Sequence, residues 1–270
     1  MSYYTSISGL KNAQTDLGVI AHNIANTETT GFKKSTTSFA DIVAKSAMSD
    51  PRKTMGIGST VESISQNFSV GSIEQTGSAL DIAINGEGFF ATKAADDGSM
   101  SFTRNGAMML DQNGYIQDGS DNRLQVFPVD AAGNATSATP VDAMVPATNG
   151  AGSKFAGLTI AEDGLVTVTY GDGTTQPVGQ VALASFASNT GLQQVGSSNW
   201  EATGLSGPAS YGQAGIGRFG SLLSGALERS NVDIAEELVG LISAQRNFQA
   251  NAKAIDTATR ITETIINLRT

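Results

Sequence analysis

The sequence predicts an α+β fold, with a helix at each end of the chain and a mostly antiparallel β domain between them. Two observations support this class. Both ends carry apolar residues at helical spacing, whereas the middle carries dipeptides typical of tight turns. Glycine accounts for 31 of 270 residues and aromatic residues for 6%, a composition that suits many short strands better than a large helical core.

The N-terminal stripe predicts one helix over residues 3–26, since its members recur at alternating steps of four and three. Such a narrow apolar stripe is typical of coiled coils. Gly9 and Gly18 each lower helix stability by ~1 kcal/mol relative to Ala, so packing against a partner must supply the stability. We expect the helix to close at Asn26, with Gly31 as a left-handed residue at its C-terminal cap. The stripe consists of Tyr3, Ile7, Leu10, Gln14, Leu17, Ala21 and Ile24.

The C-terminal stripe predicts a second, longer helix from about Asp233 to about Leu268. Asp233 and Glu236 have the spacing of a capping box, although Asn231 or Ser230 are alternative caps. Together the two helices are expected to form a coiled-coil-like domain whose stripes bind other copies of the chain. The second stripe consists of Ile234, Leu238, Leu241, Gln245, Phe248, Ala252, Ile255, Thr259, Thr262 and Ile266.

Two glutamines, Gln14 and Gln245, occupy positions that are otherwise apolar in these stripes. One interpretation is that a half-buried glutamine is tolerated there. The other is control of helix register, because a buried polar side chain penalises wrong alignments.

The middle of the chain divides into a β-rich outer domain at residues 76–203 and linkers at 31–75 and 204–230. Residues 1–30 and 231–270 then form the helical inner domain. Within the first linker, apolar residues at 39, 42 and 43 predict a short helix or turn over residues 38–45. The β domain is punctuated by Asp97-Gly98, Asn105-Gly106, Asn113-Gly114, Asp118-Gly119, Asp163-Gly164 and Asp172-Gly173.

Charge and composition exclude several classes of protein. The formal net charge is -9, and the basic pairs Lys33-Lys34 and Arg52-Lys53 are isolated, so nucleic-acid binding is not expected. The chain has no cysteine, which removes disulfides and thiolate chemistry. We find neither a cleavable secretory signal nor a membrane span in the sequence.

No cluster of acid, base or metal-ligating residues emerges, so we expect neither an enzyme, nor a cofactor, nor a metal site. The single histidine, His22, lies inside the first helix and is interpreted as a surface or packed residue. Gly86-Glu87-Gly88 lacks the third glycine of a dinucleotide fingerprint and is interpreted as a bulge or tight turn. Residues 118–122 lack calcium-loop spacing and are interpreted as a hairpin turn. Trp200 is expected to pack at the edge of the β domain.

Several motifs at both ends and in the middle resemble those of bacterial flagellar rod and hook axial proteins. The N-terminal motif residues are Asn23, Ala25, Asn26, Gly31 and Phe32, with His22 in place of a first asparagine. The C-terminal motif includes Gln245 and Arg246. The matching stretches are residues 20–27, 30–33, 80–90, 102–106, 110–114, 225–233 and 244–251.

Within this family, residues 181–186, 244–251 and 266–269 are most similar to hook subunits, and the distal rod subunit is the alternative. The chain is too short for the extra outer domain of many hook proteins. The stretch at residues 44–60 is longer than the matching stretch in hook proteins. In this greater length it is similar to the rod pattern.

The resemblance implies a homo-oligomer that polymerises into an open, hollow helical tube linking rod to filament and transmitting torque as a flexible joint. It also implies export through the flagellar type III apparatus, a location in the extracellular hook or basal body, and contacts with rod subunits, the hook cap and hook–filament junction proteins.

Overall fold

The computed structural model describes residues 2–43 and 56–267. Within them the chain forms two compact units. The helical unit comprises residues 2–27, 34–43, 56–67 and 232–267, and the β unit comprises residues 28–33 and 68–231. Arg52, Lys53 and Arg269, together with most of the stretch 44–60, lie outside the described residues.

The helical unit contains two helices and one β hairpin. Helix α1 (Ser2–Ala25) and helix α2 (Ile234–Asn267) confirm the two predicted helices nearly residue for residue. In the described residues, neither helix carries an apolar run long enough to cross a membrane. The hairpin consists of β1 (Ser35–Val43) and β2 (Gly56–Gln66), which pair antiparallel from Ser35 opposite Gln66.

The prediction of a short helix or turn around Phe39 is wrong. Phe39, Ile42 and Val43 have helical spacing, but all three belong to β1 and pair with β2. Strand pairing along nine register positions satisfies the backbone groups of this Ser- and Thr-rich segment, which outweighs its weak helical pattern.

Asp233 caps the second helix. Its Oδ1 accepts hydrogen bonds from the backbone N–H groups of Ala235 at 2.8 Å and Glu236 at 3.2 Å. These are two of the four N–H groups that a helix start leaves unpaired. The alternatives Asn231 and Ser230 are therefore not the cap.

The β unit is built from short strands that pair antiparallel. In chain order, they are β3 (Ile73–Gln75), β4 (Ile82–Asn85), β5 (Phe89–Ala94), β6 (Met100–Thr103), β7 (Met109–Leu110), β8 (Ile116–Gln117), β9 (Asn122–Phe127), β10 (Val141–Asp142), β11 (Phe155–Ile160), β12 (Leu165–Tyr170), β13 (Thr175–Ser185), β14 (Gln193–Gly196), β15 (Asn199–Glu201), β16 (Ser210–Gln213), β17 (Ser221–Ser224) and β18 (Ala226–Glu228).

Twelve of these strands form one sheet, whose main path runs β11-β12-β13-β9-β5-β6-β15-β14. The pairs β17–β4 and β18–β3 form two small separate sheets. Most turn dipeptides lie where predicted, and glycine adopts positive φ in four of the hairpin connections: Gly98, Gly114, Gly164 and Gly173. A positive φ is open to glycine but costly for other residues.

Two apolar clusters form the core of the β unit. Phe90 and Phe89 are adjacent on β5, and because side chains alternate along a strand they enter different clusters. The second cluster is aromatic, with Trp200 fully buried between Phe89 and Phe68. Trp200 lies on β15, one strand in from the terminal strand of the sheet path, so it packs near the edge of the sheet and is fully buried there.

The stretch expected as a second linker, residues 204–230, contains three paired strands. β16 pairs with β13, β17 with β4 and β18 with β3. The whole stretch therefore lies inside the β unit. Its glycine content misled the sequence-based interpretation, because tight turns between very short strands need as much glycine as a flexible linker does.

Candidate assembly surface

The two helices run antiparallel and meet through small residues. A Cβ atom added to Gly9 would lie 2.6 Å from Oδ1 of Asn251, and one added to Gly240 would lie 3.5 Å from Cδ1 of Ile20. Ala13 and Ala244 are 7% and 1% exposed. Small side chains at the contact allow two helix axes to approach closely.

A buried asparagine connects three elements of the helical unit. Asn23, which is 1% exposed, donates from Nδ2 to the carbonyl oxygen of Ser35 at 2.8 Å and to Glu237 Oε2 at 3.1 Å. Its Oδ1 accepts a hydrogen bond from the Ser35 N–H at 3.0 Å. Asn23 therefore joins α1 to the start of β1 and to the first turn of α2, and fixes their alignment.

An ion-pair group lies beside this asparagine. The ammonium of Lys34 lies 2.8 Å from Glu237 and 3.1 Å from Glu236. Burial acts to lower the pKa of Lys34, but its hydrogen bonds to both carboxylates outweigh burial, so the pKa is raised. Lys34 is therefore charged at neutral pH, and because Lys34 is partly buried in this ion pair and Lys33 is fully buried, both lysines have structural roles.

The side chains most buried in α1 lie one residue before the predicted stripe, at Ala13, Ile20 and Asn23. The predicted stripe therefore borders the α1–α2 contact instead of filling it. In α1, Ile7, Leu10, Leu17 and Ile24 are partly buried, while Gln14 is exposed. In α2, Leu241, Phe248 and Ile255 are partly buried, while Ile234, Leu238, Gln245 and Ile266 are exposed.

Neither glutamine of the stripes fixes the alignment of the helices within one chain. Gln14 and Gln245 are both exposed, whereas Asn23 and Glu237 are the buried polar residues of the helix pair. The asparagine belongs to the quoted N-terminal motif, but its contact with Ser35 and Glu237 could not be foreseen from helical spacing.

Large apolar side chains remain exposed at both ends of α2. We call the first group the leading patch: Ile234, Leu238, Val239 and Ile242 are 48%, 46%, 66% and 51% exposed. At the other end, Ile261, Ile265 and Ile266 are 56–61% exposed. Contiguous exposed apolar residues of this kind mark surfaces that a partner covers.

A cluster of buried charges in the β unit was missed by the sequence analysis. Lys33 Nζ lies 2.5 Å from Glu228 Oε1, and Arg104 Nη1 lies 3.2 Å from Glu228 Oε2. The side chain of Glu228 is fully buried, and the backbone N–H of Gly71 donates to it as well, at 2.9 Å. Burial lowers the pKa of Lys33 and of Arg104, and Glu228 opposes that effect in both.

This cluster attaches the chain segment that follows α1 to the β unit. Gly31 has φ of +69°, and its N–H donates to the carbonyl oxygen of Glu228 at 2.8 Å. A Cβ at Gly31 would lie 2.5 Å from the backbone nitrogen of Asn105. Gly31 is thus left-handed as predicted, but its role is this close approach and not a helix cap, since α1 ends at Ala25.

The remaining candidate residues have structural positions. His22 is exposed on α1. Gly86 and Gly88 have positive φ between β4 and β5, as a tight turn requires. Asp118 accepts hydrogen bonds from the backbone of Ser120 and Asn122 in the turn between β8 and β9. In the described part of the chain, no three His, Asp or Glu side chains are grouped as metal ligands would be.

Three family models match the chain. Residues 4–33 match the flagella basal body rod protein model, and residues 83–168 match the D1 domain of the flagellar hook protein FlgE/F/G. Residues 223–268 match the C-terminal region of the flagellar basal body rod FlgEFG proteins. The flagellar basal-body rod protein FlgG of Bacillus subtilis is 36% identical, with 99% of this chain and 98% of that protein covered. The chain belongs to the flagellar rod and hook protein family.

Other members of this family are similar over the same extent. The flagellar hook protein FlgE of Escherichia coli is 30% identical over an alignment of 410 residues that covers both chains completely. The basal-body rod protein FlgG of Buchnera aphidicola from Acyrthosiphon pisum is 31% identical, with 99% of each chain covered. Membership confirms the resemblance drawn from the motifs.

We expect replacement of Asn23 by Ala to loosen the helix pair of this flagellar family member. The change leaves the buried N–H and C=O of Ser35 unpaired, which costs about 1–3 kcal/mol. Hydrogen exchange measured by mass spectrometry should then show faster exchange at the C-terminal end of α1. The exposed Gln14→Ala variant serves as the control, and equal exchange in both variants would contradict this role of Asn23.

Proposed function

We propose that this chain is the structural subunit of the flagellar hook. Its copies polymerise into a hollow helical tube that joins the rod to the filament and transmits torque as a flexible joint. The observation that carries the proposal is the leading patch on α2, where four large apolar side chains remain exposed in a member of an axial family. A repeated contact that does not close on itself generates such a tube.

The two units are expected to have different roles in this tube. The helical unit supplies the cohesion of the inner wall through its exposed apolar residues, and the β unit forms the outer wall. Rod subunits, the hook cap and the hook–filament junction proteins are the expected neighbours at its ends. The flagellar type III export apparatus is the expected route to this extracellular location.

The distal rod subunit is the second candidate, and one observation favours it. The 270-residue chain aligns nearly end to end with the rod protein FlgG of Bacillus subtilis, whereas its alignment with the Escherichia coli hook protein needs 410 positions. The second alignment therefore contains long gaps, as a compact hook subunit without an outer domain would also produce.

Electron microscopy of basal bodies from a strain that lacks this gene distinguishes the two candidates. Complete rods without hooks support the hook subunit. Absent or shortened rods support the rod subunit. Normal rods and hooks in that strain would contradict both assignments, and restoration of the missing part by the wild-type gene is the control.

A further inference from the structure

Two exposed methionines share one face of the β unit. Met109 is 52% exposed on β7, and Met144 is 51% exposed just after β10. Met109 lies directly opposite Gln117 in the β7–β8 pair, and Met144 lies opposite Tyr115 in an isolated bridge. Residues opposite each other in an antiparallel pair share a face, and so do Tyr115 and Gln117 as alternate residues of one extended segment. We call these four side chains the methionine face.

The chain neighbours of these methionines point the other way, into the core. Met108, which precedes Met109, is 3% exposed, and Ala143 and Val145 on either side of Met144 are buried. All three belong to the main apolar cluster of the β unit. Strand alternation therefore holds one methionine of an adjacent pair in solvent and the other in the core.

An aromatic ring and a cation lie beside the two thioethers. The hydrogen bonds that flank the bridge leave Tyr115 and Met144 as a non-hydrogen-bonded pair, the arrangement in which opposite side chains are closest. The guanidinium carbon of Arg123 lies 4.0 Å from the centroid of the Tyr115 ring, and Arg123 also pairs with Asp142 at 3.0 Å. The methionine face is thus an ordered part of the sheet.

Methionine is the only sulfur-containing residue type of this chain, which has seven methionines and no cysteine. An oxidant that would otherwise react with a thiolate finds only thioether sulfur. Of the four methionines that the structure describes, Met109 and Met144 are exposed, Met108 is buried, and Met100 is partly buried against the aromatic cluster. A thioether must meet the oxidant to react, so exposure decides the order in which these residues oxidise.

We propose that Met109 and Met144 form a site of reversible oxidation by peroxides. A lone pair of the sulfur attacks one oxygen of hydrogen peroxide, so that an S–O bond forms and the O–O bond breaks. The proton on the attacked oxygen moves to the departing oxygen, which leaves as water. The sulfur loses two electrons and becomes a sulfoxide, and the peroxide is reduced. Methionine sulfoxide reductases reverse the step with a dithiol, which becomes a disulfide while the oxygen leaves as water.

Oxidation changes this face and leaves the fold as it is. A sulfoxide is polar and a good hydrogen-bond acceptor, whereas a thioether is apolar and a weak one. Gln117 and Arg123 lie opposite each other on the same face and carry N–H donors suited to the new oxygens. Neither exposed methionine belongs to the main apolar cluster, so the cluster stays intact. This chemistry is the same whether the chain serves in the hook or in the rod.

Peptide mapping by mass spectrometry tests the order of oxidation. The purified chain is treated with dilute hydrogen peroxide, the sulfoxide fraction at each position is followed with time, and fragment ions separate Met108 from Met109. Met109 and Met144 should each oxidise at least about tenfold faster than Met108. In urea, where all methionines meet the solvent, the three rates should converge.

Two further measurements follow the surface and the fold separately. Oxidised wild-type chain should elute earlier from a hydrophobic-interaction column, and both epimer-specific reductases together should restore the original elution. The variant Met109→Leu/Met144→Leu keeps apolar side chains of similar size, so peroxide should shift its elution less than half as far. The other methionines are present in both proteins and act as a common background. The urea midpoint from Trp200 fluorescence should be the same before and after limited oxidation.

A rate ratio below about tenfold for either exposed methionine would overturn this assignment. A shift in elution of the double variant at least half as large as that of the wild type would overturn it as well. A lower urea midpoint after oxidation of Met109 and Met144 alone would show that their sulfur atoms support the core, contrary to an effect on the surface only. None of these results bears on the choice between hook and rod, which the strain lacking the gene decides.

Discussion

Replacement of Glu228 by Ala is expected to lower the free energy of unfolding of the β unit by about 3–5 kcal/mol. Glu228 is the only carboxylate that contacts both Lys33 and Arg104 among the described residues, and all three side chains are at most 4% exposed. Its removal deprives buried Lys33 and Arg104 of the carboxylate that both contact, a larger penalty than loss of the hydrogen bonds themselves.

Trp200 makes this effect measurable in the intact chain. It is the one tryptophan of the sequence and is fully buried in the aromatic cluster of the β unit, so its fluorescence reports on unfolding of that unit in urea. Glu74→Ala is a matched control, because Glu74 forms an exposed pair with Arg229 and should contribute at most about 1 kcal/mol. Equal urea midpoints for the two variants would refute a stabilising role for the buried cluster.

Replacement of Gly106 by Ala is expected to be similarly severe, at about 3 kcal/mol or more. A Cβ at this position would lie 1.6 Å from the carbonyl oxygen of Ile82. The clashing atom belongs to the backbone of β4, so the strand itself must move. Ile82 also donates its N–H to the carbonyl oxygen of Gly106 at 3.0 Å, and this hydrogen bond would be lost.

The same fluorescence titration measures the effect of Gly106→Ala. Gly119 provides the control, because a Cβ there has no atom within 4 Å among the described residues and its φ is not in the left-handed region. Gly119→Ala should therefore shift the unfolding free energy by less than about 0.5 kcal/mol. A urea midpoint for Gly106→Ala as high as that for Gly119→Ala would show that β4 can move without loss of stability.

Local patterns in the sequence predicted the two helices and most strands, because these depend on periodicity and turn residues that are close in sequence. The register of the helix pair does not depend on such local patterns. Gly9, Ala13 and Gly240 set the contact by being small, and small residues contribute little to a hydropathy pattern. The large apolar residues of the two stripes lie at the border of this contact, and their predicted role in binding other copies stays a prediction.

The buried charges were missed for a related reason. Lys33 and Glu228 are 195 positions apart, and Arg104 and Glu228 are 124 apart. Nothing in the local sequence of a charged residue shows that it will be buried, since charged residues are usually exposed. All three residues belong to the motifs that resemble the family. The motifs do not show, however, that these residues contact one another.

Both ends of the chain are needed to complete the helical unit. Asn23 and Glu237 make contact across 214 positions, whereas the β unit is complete by residue 231. A copy interrupted between residues 231 and 234 keeps every strand but has no second helix. Such a truncated copy lacks the leading patch on α2, so under the proposed assembly we expect it to be left out of the growing structure.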